Sequence, residues 1–117
     1  MSAFYETELG KIEISNECIA KIIGISSMEN YGVVGMASKS MTDGIVNLLG
    51  MENLQRGIKV TSNEGFINAD IHIVVEYGTR IPVIAENIKE RVTFAIEKLT
   101  GLKAGQINVF IDGIRIN

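Results

Sequence analysis

One cysteine, one histidine, one proline and no tryptophan occur among 117 residues, and the scarcity of cysteine and histidine removes two kinds of site. Cys18 has no second cysteine, so no internal disulfide forms, and a lone thiol fits a reducing compartment. Cys18 and His72 are too few for a structural zinc site, which takes four cysteine or histidine ligands. No run of apolar residues reaches the 18 or more that cross a bilayer. The first residues, MSAFYETELGK, carry acids where a signal peptide has a positive region and an apolar core. The expected location is therefore the cytoplasm, without direct membrane insertion. Neither sign of charge forms a block, and 11 Lys and Arg against 14 Asp and Glu leave a net charge of −3. General nucleic-acid binders draw their affinity from basic surfaces, so no nucleic acid is expected as partner. The loop YGVVGM lacks the G-x-G-x-x-G pattern and precedes its strand instead of following it. Walker loops, nucleophile elbows and metalloprotease motifs do not occur. No catalytic residue, metal or cofactor is assigned, and the chain is expected not to be an enzyme.

What is present is an ordinary folded composition, 46% apolar and 21% charged, in one domain over 1–117 that buries about two-thirds of its unfolded surface. KIEIS alternates as a strand with Ile12 and Ile14 on one side. Ser15 or Asn16 then caps a helix whose Ile19, Ile22, Ile23 and Ser26 share a face. Ala20, Gly24 and Ser27 make a second, small-residue stripe that lets another backbone approach closely, a neighbouring element of the monomer in the favoured reading or else a second copy. Asn30, Tyr31 and Gly32 end this helix, and VVGMASK reads as a strand. Thr42 or Asp43 caps a short helix carrying Ile45, Leu48 and Leu49. IKVTS and DIHIVVEYG form a hairpin through Asn63, Glu64 and Gly65. In its second strand Ile71, Ile73 and Val75 face the core, with Asp70, His72, Val74 and Glu76 opposite. A long helix runs from about Pro82 to Leu99 with Ile84, Ile88, Val92, Ala95, Ile96 and Leu99 inward. Gly101 supplies its left-handed cap, and Leu102 folds back on Ile96. QINVFIDGIRI closes the chain as a strand, with Ile107, Val109 and Ile111 on one face and Asn108, Phe110 and Asp112 on the other. The expected fold is α+β: a small mixed sheet, two main helices mainly on one face, and a short extra helix.

His72 is the natural candidate for acid-base chemistry, yet mid-strand it reads as a surface or half-buried residue. Cys18, without a partner base, reads as a small core residue, and the methionines mainly as core filler. Asp43, Asp70, Glu76 and Asp112 have no spacing that pairs them. In YGTRIPVIAEN the single proline starts the long helix, because Pro82 loses nothing in the first turn and would cost about 3 kcal/mol in the interior. Free N–H groups there, beside Tyr77, Gly78, Thr79 and Arg80, make this turn the candidate ligand or partner site.

The segments GKIEIS, CIAKIIG, ENYGVVGM, DGIVNLLGMENLQRGIKV, IVVEYGTRIPVIAENIKERV and EKLTGLKAGQINVFIDGI resemble, in this order, the alkaline-shock or envelope stress response family of Gram-positive bacteria, in its short, YloU-like branch. The combination spans nearly the whole chain; it is most specific at Tyr77-Gly78, Ile84-Ala85 with Val92, and Thr100-Gly101-Leu102 before Asn108-Val109. Lys89 departs from the glutamine common in relatives, and Cys18 from an aliphatic residue. The resemblance implies small cytoplasmic proteins with no established enzymatic activity, some held at the membrane by an anchor protein. Members of this branch tend to be encoded beside a dihydroxyacetone-kinase-like fatty-acid kinase. The function expected is a self-associating interaction or scaffold protein of envelope homeostasis, with Val74 and Phe110 on the wet sheet face marking an interface. The alternative is a small-ligand regulatory module of lipid metabolism, binding an acyl chain or a phosphorylated metabolite.

Overall fold

A computed structural model describes residues 2–38 and 51–116. The chain begins with a strand the sequence reading did not contain. β1 (Ser2–Thr7) pairs antiparallel with β2 (Gly10–Ser15), so KIEIS belongs to a separate two-stranded hairpin and not to the main sheet. Ser15 accepts a 3.1 Å hydrogen bond from the Cys18 N–H and caps α1 (Asn16–Met28). The expected short helix with Ile45, Leu48 and Leu49 lies outside the described residues. A 3₁₀ segment, Met51–Gly57, precedes β4 (Ile58–Asn63).

The main sheet is organised around β5 (Phe66–Glu76). β6 (Lys103–Arg115) runs parallel along one edge of it. The other edge is shared end to end by β4 and by β3 (Val33–Met36), both antiparallel. The β4–β5 turn places Glu64 at φ 52° and Gly65 at φ 85°. Two consecutive positive φ values define the type I′ turn whose twist matches a hairpin. Between β5 and β6 the chain crosses over through α2 (Ile81–Thr100), the connection that parallel strands require. Pro82 lies in its first turn as expected, and Gly101 at φ 77° ends it with an N–H bond to the Glu97 carbonyl.

Ile19 and Ile23 of α1, Ile84, Ile88, Val92 and Ile96 of α2, and Ile67, Ile71, Ile73 and Val75 of β5 meet in one core. Each such side chain, fully buried, contributes about 1.5–3 kcal/mol. The fold is α+β with both helices on one face of the sheet, as expected. The small stripe of α1 packs inside the monomer: a Cβ on Gly24 would lie 3.0 Å from Leu54 Cβ, and Ala20 and Ser27 are buried.

Three expectations need correction. Cys18 is exposed, because Ile19 and Ala20 take the inward positions at the start of α1. Val74, expected on a wet face, is buried at 7% exposure, so it marks no interface. Leu99, expected in the core, is 66% exposed while the next residue, Thr100, is buried. The cause is the path of the buried line along α2. It follows the row Ile84, Ile88, Val92, Ile96 and Thr100 in steps of four, a row that winds around the helix axis. By the C-terminal end, that winding has left Leu99 beside the core.

Candidate functional site

The displaced residues of α2 form two further rows in steps of four. Asn87, Arg91, Ala95 and Leu99 flank the buried row, and Glu90, Phe94 and Lys98 lie beyond them. Both rows face α1 across an open groove. Ile22, Ile25, Ser26 and Glu29 make one wall and Arg91, Phe94, Ala95, Lys98 and Leu99 the other, around about 320 Å³. Glu29 at the end of α1 reaches back to Arg91, while Asn30 and Tyr31 lie near Asn87 in an adjoining depression. The two helices therefore run in opposite senses. The Glu29–Arg91 contact, 3.5 Å long and exposed, divides the two hollows; exposed pairs of this kind contribute little to stability. Lys98 Nζ lies 5.6 Å from the centre of the Phe94 ring, within the range of a cation–π contact.

The lining is mostly apolar although it faces solvent. Phe94 is 64% exposed and Ile25 44%. Together with Leu99 and the neighbouring Tyr31, they expose large side chains along one side of the helical layer. Scattered apolar residues on a surface need no explanation, whereas a contiguous group with a charged rim marks a binding site.

The face of the sheet away from the helices is built differently. His72 Nδ1 donates to Asp112 Oδ2 at 2.8 Å, and the imidazole stacks on Phe110 with centroids 4.8 Å apart. Asn108 donates to Asp70 at 3.0 Å and Arg115 to Glu76 at 3.3 Å. The parallel register opposes Asp70 to Asn108 and His72 to Phe110. A one-residue irregularity after Ile111 brings Asp112 to the histidine. Of the carboxylates considered from the sequence, Asp70, Glu76 and Asp112 each pair with a neighbour on β5 or β6; Asp43 lies outside the described residues.

The turn expected to hold a ligand is exposed. Tyr77 points outward, its N–H donating to the Arg115 carbonyl at 2.9 Å. Gly78 adopts φ 92°, and the Thr79 hydroxyl donates to the Glu76 carbonyl at 2.6 Å. Arg80 occupies the N-cap of α2 without a side-chain cap bond. The structure thus brings Tyr77, Gly78, Thr79 and Arg80 together in one turn. Arg56 and Lys59 line a depression beside α1, apart from Arg91 in the helix groove.

Sequence reasoning passed over Phe94 and Ile25. A signal was there: Phe94 stands two residues from both Val92 and Ile96, about 200° around the helix from each, so it cannot share their inward face.

Comparison with known proteins adds what geometry does not. Residues 5–116 match a family described as ASP23, of cell envelope-related function. The chain belongs to the ASP23 family. It is similar to the uncharacterized protein YloU of Bacillus subtilis, 38% identical over 99% of this chain and 98% of the relative. It is similar to the uncharacterized protein Spy1614 of Streptococcus pyogenes, 40% identical over 99% and 97%. A stress response regulator gls24 homolog of Streptococcus pyogenes is 28% identical over 91% of this chain and 59% of its own length. No solved structure matches. The envelope stress family named from sequence motifs is thus the family found. Among the described residues, no helix is long and apolar enough to cross a membrane.

Proposed function

We propose that this ASP23-family chain is a non-enzymatic interaction protein of envelope homeostasis, and that the α1–α2 groove docks its protein partners. The observation that carries this reading is the set of exposed apolar side chains, Ile25, Phe94 and Leu99, around a hollow with a charged rim. Burying such a group on association contributes about 25 cal/mol per Å² of apolar surface before the costs of binding. The rim supplies both signs, Glu29 with Arg91 and Lys98, which orient an incoming segment more than they hold it. The partner classes that fit the family resemblance are a second copy, a membrane-anchor protein, and a dihydroxyacetone-kinase-like fatty-acid kinase. In this reading the protein is cytoplasmic and reaches the membrane only through such a partner. The turn of Tyr77, Gly78, Thr79 and Arg80 is a supplementary contact.

Photo-crosslinking in the native cell tests this, with the reactive side chain placed at position 94, at 77, or at 110 on the opposite face. A discrete adduct from position 94, absent from 110, with an envelope-associated protein or a second copy is the expected result. Equal adducts from 94 and 110 overturn the assignment of the groove.

A second reading has its own observation: the hollow is lined mainly by apolar side chains and has Lys98 at its rim, a geometry suited to an acyl chain and its carboxylate. A saturable rise in melting temperature with a fatty acid, lost in Phe94→Glu, supports it. No rise removes it.

A further inference from the structure

The β1–β2 hairpin stands outside the main sheet, and an isolated two-stranded hairpin is marginal in water. Its root is anchored: Ala3 is buried, and the Tyr5 ring lies over the Gly101 cap of α2. Its far end is not. The tip turn is nonetheless ordered. The Thr7 hydroxyl accepts from the Leu9 N–H at 3.2 Å and donates to the Gly10 carbonyl at 3.2 Å. This small brace holds the Leu9 side chain 100% exposed, an aliphatic side chain fixed in water. Glu8 precedes it, while Glu6 stands opposite Lys11 across the pair, all three exposed.

We infer that the hairpin tip of one copy docks in the α1–α2 groove of a second copy, with Leu9 entering the hollow beside Phe94 and Leu99. The inference rests on the reading of that groove as a docking surface and names its occupant. Charge complementarity selects this pairing. The tip carries Glu8 beside one apolar side chain, with Lys11 drawn back over the Phe4 ring, and the part of the groove beside Leu99 carries Lys98 over the Phe94 ring. Glu8 approaches Lys98 as Leu9 is buried. A tip held by Thr7 loses little freedom on docking, which favours association. The tip does not occupy its own groove, since Leu9 is fully exposed in the single chain. Tip and groove are different surfaces, so the contact is heterologous: it closes when two copies exchange tips and extends into a chain when they do not.

Sedimentation velocity over a concentration series tests the pairing with variants at exposed positions. The native chain is expected to self-associate. Leu9→Asp and Phe94→Glu are each expected to weaken association at least tenfold. An equimolar mixture of the two is expected to form a mixed dimer, because one retains the groove and the other the tip. Glu8→Lys and Lys98→Glu alone are expected to weaken association, and together to restore it. A monomeric native chain overturns the inference, as does a native-like Leu9→Asp or a mixture that stays monomeric. Partner crosslinks from position 94 that survive Leu9→Asp would sink this pairing while leaving the groove as a docking surface.

Discussion

The sheet face and the outer side of the helical layer are both open to solvent, and they differ in how they end. On the sheet, polar side chains of β5 and β6 satisfy one another: His72 with Asp112, Asp70 with Asn108, Glu76 with Arg115. Its aromatic, Phe110, stacks on the His72 ring and stays 43% exposed. On the helices, the exposed Phe94, Leu99 and Ile25 meet a hollow instead of a neighbour. A face whose polar groups are paired internally asks for few further polar contacts. A face whose apolar groups remain wet gains from a partner, and that difference is why the proposed docking surface is placed on the helices.

The comparison can be broken at three levels. The largest effect belongs to neither face. Ile88, wholly buried beneath both, is expected to lose about 2–5 kcal/mol on truncation to alanine, read as a lower urea midpoint. Next, Asp112→Ala removes the partner of His72 and is expected to destabilise by about 1 kcal/mol. Association is expected to stay unchanged, because the proposed docking groove lies on the opposite side of the molecule. Smallest in stability is Phe94→Ser, which is expected to stay within about 0.5 kcal/mol of the native chain while association falls. If Phe94→Ser cost as much stability as Asp112→Ala, the ring would be part of the folded core and the contrast would fail.

The elements were legible where local pattern and burial agree. Ser15 capping α1, Pro82 opening α2 and Gly101 closing it were readable because each rests on backbone chemistry that neighbours cannot override. The inward faces of β5 and α2 followed from periods of two and of three to four. β1 escaped because only Ala3 of its described side chains is buried, so SAFYET shows no apolar alternation, and its turn lacks the Asn-Gly or Asp-Gly signal. The parallel placement of β6 depends on the crossover and leaves no local mark. The groove escaped for a different reason. Periodicity places Leu99 inward, and only the winding of the buried row relative to its cover turns it out. Val74 erred the opposite way: alternation put it on the far face, and alternation does not say how much of that face is covered.

The most direct test of the account is sedimentation velocity on two single variants that place a charge on the two faces, Phe94→Glu in the groove and Phe110→Glu on the sheet. Association lost in Phe94→Glu and kept in Phe110→Glu is the predicted outcome. Association kept in Phe94→Glu and lost in Phe110→Glu would move the interface to the sheet and contradict the account.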